Sequence, residues 1–123
     1  MAQHNITGKW GETKAVEYLA SKGYSIVETN WRMNHLEIDI IAQNGTRYVF
    51  VEVKTRTTPI ADPRVIINSR KISHMVACAN HYMSAKEIPF EAQFDIIFVI
   101  GTPRSFTIEH IPDAFLPPLR TYR

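Results

Sequence analysis

Residues 37–54 read EIDIIAQNGTRYVFVEVK, two apolar runs joined at Asn44-Gly45, the strongest short-range signal for a β-hairpin. Strand side chains alternate between faces, so Val49, Val51 and Val53 share one face while Glu52 and Lys54 share the other. With Asn44-Gly45 as a two-residue turn, Ala42 falls opposite Arg47, Asp39 opposite Phe50 and Glu37 opposite Glu52. That register gathers Glu37, Asp39, Glu52 and Lys54 on a single face. A loop longer by two residues keeps the parity; a loop longer by one turns Asp39 away. Three carboxylates on adjoining strands, with one ammonium to offset them, suppress one another's ionisation unless a further cation joins them. Oxygen donors select a hard metal, magnesium with manganese as a substitute.

The rest of the chain supplies a frame for this hairpin. Residues 7–22, TGKWGETKAVEYLASK, carry Ala15, Val16, Leu19 and Ala20 at helical spacing, with Gly23 as the stop. YSIVETNW reads as a strand ahead of the hairpin. From about Asn68 to Ala85, Ile72, Val76 (with Met75), Ala79 and Met83 (with Tyr82) predict a second helix, and FDIIFVIG then reads as a strand buried on both faces. Asp95, at the start of that run, is expected to be a structural hydrogen-bond partner. SFTIEHI adds a final strand. The expected class is α/β, a mixed central sheet flanked by helices in the order α-β-β-β-α-β, followed by that last strand. One domain over 1–123 is expected, with an irregular proline-containing tail from about 112.

The 123 residues are 45% hydrophobic and 21% charged with a formal charge of +2, an ordinary globular balance that permits a polyanionic partner without demanding one. The single cysteine, Cys78, has no internal disulfide partner and falls in an apolar helical stretch, which suits a buried thiol in a reducing cytoplasm. No window approaches the roughly 18 apolar residues of a membrane helix, so no membrane partner is expected. Trp10 and Trp31 are expected in helix–sheet packing, and the five histidines show no metal-ligand spacing. Glu12 precedes Val16 by four residues and Leu19 by seven. It therefore heads the apolar stripe toward a cleft edge, or else sits in the first helical turn as a complement to the dipole.

The stretch from Gly8 to Thr57 resembles the YraN-like family of uncharacterised bacterial proteins, which look like Holliday-junction-resolvase and restriction-type endonucleases of the PD-(D/E)xK superfamily. The resemblance is carried by Gly11-Glu12, Glu37-Ile38-Asp39, the run Phe50 to Lys54 with Arg56, Lys71, and Phe94-Asp95. It implies a restriction-endonuclease-like core in which Asp39 and Glu52 hold the metal, Lys54 is the catalytic lysine and Glu12 the helix-borne acid. The chain departs from the family at Leu36, where glycine is frequent, and at Gln93, where arginine is frequent.

Together these readings predict a Mg-dependent endodeoxyribonuclease hydrolysing phosphodiester bonds, possible substrates including branched or junction DNA. The Val53 carbonyl is a candidate third metal ligand. Glu37 is expected to tune the site rather than bind the ion. Arg56, Arg64, Arg70 and Lys71 are candidate contacts to the nucleic-acid backbone. The alternative is a non-catalytic nucleic-acid-binding protein with a nuclease-like fold, and the resemblance also admits a two-fold homodimer.

Overall fold

The computed structural model describes residues 2–59 and 68–115, and the side chains of the first helix from Lys9 onward. Arg64 and the tail beyond Phe115 lie outside the described residues. The elements run α1 (Ala2–Ser21), β1 (Ser25–Met33), β2 (Leu36–Asn44), β3 (Arg47–Arg56), α2 (Ser69–Ala85), β4 (Glu91–Thr102) and β5 (Ser105–Ile111). The five strands form one sheet in the order β1-β2-β3-β4-β5. Neighbours are antiparallel except β3 and β4, which run parallel because α2 carries the chain between them. This is the mixed α/β arrangement that the periodicities predict, with α1 starting five residues earlier than the expected 7–22.

Each helix covers its own apolar cluster. Ala15 and Leu19 of α1 pack on Ile40, Ala42, Val49, Val51, Ile97 and Val99. Met75, Cys78, Ala79 and Tyr82 of α2 pack on Ile41, Phe50 and Phe94. The buried stripe of α2 thus differs in phase from the expected Ile72–Val76–Ala79–Met83 line, with Ala79 common to both. Met75 and Tyr82 take the buried centre, and Val76 and Met83 pack half-buried against it. Cys78 is buried, as expected for a packing thiol. Trp10 packs edge-on against Phe106, and Trp31 against Tyr82.

Helix ends and polar core groups are satisfied locally. Gly23 has φ 94, and α1 closes with Gly23 N–H donating to Ala20 and Tyr24 N–H to Leu19, the paired bonds of a Schellman motif. Asn68 caps α2 by accepting from Lys71 N–H at 2.9 Å. Asp95, fully buried, accepts from Gln93 Nε2 (3.0 Å) and Asp113 N–H (3.0 Å) and meets His110 Nε2 at 2.7 Å. That is the structural role expected of it. Gln93 also accepts from Arg47 at 3.3 Å.

The hairpin register differs from the expected one. Asn44 pairs with Arg47 and Ala42 with Val49, so the turn is Gly45-Thr46 rather than Asn44-Gly45. Gly45 takes the first central position at φ 65, where a two-residue type II′ turn calls for glycine. The pairing shifts by two residues, which preserves parity. Phe50 pairs with Ile41 rather than Asp39, and Asp39 and Glu52 are the first residues past the last pair, Ile40–Val51.

Gly11 is buried where α1 meets β3, and a Cβ there would overlap the Thr55 hydroxyl. The missing side chain lets the helix lie close enough to bring its next residue, Glu12, to the sheet. Gly11→Ala is expected to lower stability by about 1–3 kcal/mol, the usual cost of overpacking, as read by urea denaturation. An unchanged unfolding midpoint would show that α1 has room to move outward.

Candidate functional site

The β2–β3 ladder ends at Ile40 and Val51, although β2 begins at Leu36 and β3 continues to Arg56. Over the same stretch β2 stays paired with β1 down to Leu36, and β3 stays paired with β4 up to Arg56. The sheet therefore splits into a cleft between its second and third strands. Beyond the last pair, Val53 N–H finds no carbonyl on β2 and donates to Asp39 Oδ2 at 2.8 Å. A side chain takes over a ladder bond, so the carboxylate is fixed in the mouth of the split.

The alternation of β2 also breaks here. Ile38 and Ile41, three residues apart, belong to the same α2-side cluster, while Ile40 lies in the α1-side one. Opposite this break β1 contains Asn30 with φ 54, a left-handed conformation unusual for a residue other than glycine. Asn30 Nδ2 donates to Glu12 Oε1 at 3.0 Å and to Glu37 Oε2 at 2.9 Å. Of the two readings of Glu12, the cleft-edge one describes its position. Arg32 reaches Glu37 Oε1 at 3.6 Å from an exposed position.

Glu52 is 8% exposed and carries cations on both oxygens, Lys71 Nζ at 3.2 Å from Oε1 and Lys54 Nζ at 3.6 Å from Oε2. Lys71 sits in the first turn of α2, where the helix dipole disfavours a cation, and the Asn68 cap binds its backbone. Its ammonium is placed by the carboxylate rather than by the helix. Glu37, Asp39, Lys71, His74 and Met75, with His35 and Leu36 at the rim, line a cavity of about 290 Å³.

The acids act on one another. Burial, first, and then the Glu52 charge push the Asp39 carboxyl up to about 7; Glu12 and Glu37 add to the rise and the Val53 hydrogen bond opposes it. An anion at this point lacks a compensating positive charge. Among the described residues, no three His, Cys, Asp or Glu side chains form a ready-made metal cage.

Glu12, Glu37 and Glu52 each lie near enough to Asp39 to raise its carboxyl, Lys54 pairs with Glu52, and Val53 N–H is bound to Asp39. Lys71 lies inside the cleft on Glu52 rather than beside it. Arg56 is exposed and donates to the Thr55 carbonyl, and Arg70 is exposed in the first turn of α2. Sequence reasoning missed Asn30 and the cavity position of His74. Asparagine in a strand carries no sign of which backbone region it occupies, and the spacing of His74 from His81 indicates only a shared helix face.

The fold is shared with a solved protein, the 1.6 Å structure of Archaeoglobus fulgidus Hjc, a Holliday junction resolvase from an archaeal hyperthermophile. The match has a TM-score of 0.55 over 85% of this chain and 76% of that one, at 19% identity. The core is accordingly restriction-endonuclease-like, as the element order and the resemblance predicted. Sequence relatives are nearer. A UPF0102 protein of Bacteroides thetaiotaomicron is 47% identical over 120 residues, covering 97% of this chain and 99% of the relative. One from Christiangramia forsetii is 45% identical over 116 residues, covering 94% and 98%. The model of the uncharacterised protein family UPF0102 matches residues 11–99, from the glycine beneath Glu12 through nearly all of β4. With the whole cleft inside that span, the chain belongs to the uncharacterised protein family UPF0102.

Proposed function

We propose that the protein is a metal-dependent nuclease that hydrolyses phosphodiester bonds in DNA, with branched or junction DNA as the preferred form. The observation that carries this reading is the split between β2 and β3, where Asp39 accepts from Val53 N–H and feels the Glu52 charge, and where Lys54 pairs with Glu52. The resolvase name of the structural neighbour supports the choice of nucleic acid.

The donor set fits a hard divalent ion. Asp39 and Glu52 offer carboxylate oxygens, and magnesium commonly uses one or two of these, filling its shell with water and phosphate oxygens rather than requiring a protein cage. The elevated Asp39 carboxyl is a second sign, because a cation there would relieve the repulsion that raises it. Asp39 and Glu52 would hold the ion. The N–H and C=O of a strand residue point to the same side, so the Val53 carbonyl opens into the gap that its N–H enters and offers a third oxygen. When bound, the ion acidifies a coordinated water and stabilises charge on the scissile phosphate.

The chain's own groups do the rest. Lys54, paired with Glu52, would stabilise negative charge growing on the phosphate oxygens. Glu12 and Glu37 orient the attacking water from the cleft edge. Arg56 and Arg70, both exposed, would hold the backbone of the substrate, and Lys71 and Arg64 are further candidates. No helix of the described residues is long and apolar enough to cross a membrane, and a cytoplasmic location accords with a DNA substrate.

The test is a panel of labelled duplex, flap and four-way DNA with magnesium, manganese or chelator. Cleavage is expected with either metal, strongest on the four-way substrate, and absent with chelator. Cleavage at the parental rate in a Lys54→Ala preparation would overturn the assignment.

A binding-only reading draws on one observation: Lys54 and Lys71 already neutralise Glu52 without any metal. It predicts metal-independent DNA affinity, unchanged in Asp39→Ala, and no cleavage. The nuclease reading makes a different prediction for the same clamp. Lys71→Met removes a cation that competes for Glu52, a pair worth about 0.5–1 kcal/mol at this partial exposure, and should tighten Mn²⁺ binding roughly two- to fivefold by calorimetry. Weaker Mn²⁺ binding in that variant would place Lys71 among the groups that support the ion.

A further inference from the structure

We propose that Asn30 is a positioning residue of the cleft, its side-chain amide fixing Glu12 of α1 against Glu37 of β2 and its left-handed backbone turning the facing segment of β2 toward the split. The inference rests on the metal-site reading of that cleft.

Thr29 pairs with Ile40 and Trp31 with Ile38, so Asn30 lies across from Asp39, where the alternation of β2 breaks. Its φ of 54 is a conformation that glycine adopts freely and other residues adopt at a cost of about 1 kcal/mol or more. The backbone alone would favour glycine. Asparagine is among the residues that tolerate this region best, and it brings a side chain that glycine lacks.

That side chain makes two bonds from one nitrogen, to Glu12 at 3.0 Å and Glu37 at 2.9 Å. Both partners are carboxylate acceptors, which assigns the amide orientation, since the carbonyl end has nothing to offer them. Two anions, one from α1 and one from β2, are thereby held side by side. A lysine or arginine in this place would do so by cancelling their charge. A neutral amide links them and leaves the negative potential intact for a cation. Arg32 does not replace this link, because it meets only Glu37, at 3.6 Å and with its own side chain 69% exposed.

Asn30→Gly keeps the backbone and deletes the amide; Asn30→Ala deletes the same amide and keeps the strain. Both are expected to fold, with the glycine protein melting within a few degrees of the parent. Both should lose about 10- to 100-fold in Mn²⁺-dependent cleavage and a smaller part of their Mn²⁺ affinity by calorimetry, because Glu12 and Glu37 hold water beside the ion rather than the ion itself. Combined with Glu12→Gln, Asn30→Gly should cost little more than the worse single change, because the two act through one interaction.

A folded Asn30→Gly protein with parental Mn²⁺ affinity and cleavage would overturn the proposal, as would full additivity with Glu12→Gln. An unfolded Asn30→Gly protein would also count against it, since glycine is the easiest occupant of that backbone. A parent that binds Mn²⁺ but cleaves no DNA sinks the nuclease reading alone, and Mn²⁺ affinity then decides the role of Asn30. A parent that binds no Mn²⁺ removes both.

Discussion

Asp39→Asn is expected to make the metal-free protein more stable above pH 7 while abolishing metal-dependent cleavage. The asparagine oxygen still accepts from Val53 N–H, so the bond that fixes residue 39 in the cleft survives. What disappears is a carboxyl whose ionisation the fold opposes, raised from 3.8 to about 7 by burial and by Glu52. Between those two values the native state binds a proton that the unfolded chain has lost. Wild-type stability therefore falls as pH rises from about 4 to 7, by an amount on the order of 4 kcal/mol when the shift is fully expressed. The variant lacks this slope. Urea titrations at pH 5 and pH 8 measure it: wild type should lose stability between them, and Asp39→Asn should not lose it at residue 39. Magnesium or manganese should restore wild type at pH 8 and leave the variant unmoved, because a ligand stabilises only the state that binds it. Equal pH slopes in the two proteins would mean that Asp39 ionises freely and that the cleft needs no cation.

Lys54→Ala is expected to lower the rate of metal-dependent cleavage by about 10²–10³-fold, the range found when one preorganised donor to a developing charge is removed. DNA affinity should change far less, since a single cation contributes only a fraction of a salt-dependent backbone contact. Lys71 remains on Glu52 in this variant, so the carboxylate is not left bare and the fold should persist. Single-turnover rates and filter binding, taken at one salt concentration, separate the two effects. A fall in affinity that accounts for the whole loss of rate would move Lys54 from transition-state stabilisation to substrate binding.

Both experiments address side chains whose shared face could be read from the alternation of EIDII and VFVEVK. That reading survived an error in the turn. Moving the loop from Asn44-Gly45 to Gly45-Thr46 shifts the register by two residues, and a strand repeats every two, so the parity of the paired stretch is kept and Asp39 and Glu52 fall just past its last pair. The stripe of α2 was legible to the same degree. Its existence and length follow from spacing, whereas its phase depends on which of two adjacent apolar residues fits the sheet, and Met75 and Tyr82 won over Val76 and Met83.

By itself the sequence determined the order of elements, the hairpin and the parallel crossover strand with its buried Asp95. These are set by periodicity and turn chemistry acting within about ten residues, where the chain has few alternatives. Only the tertiary structure decided that β2 and β3 part beyond Ile40 and Val51, that Asn30 joins Glu12 to Glu37, and that Lys71 lies on Glu52. Each of these contacts joins elements distant in the chain, and its formation depends on how closely α1 and α2 settle on the sheet. No local pattern of side chains encodes that distance.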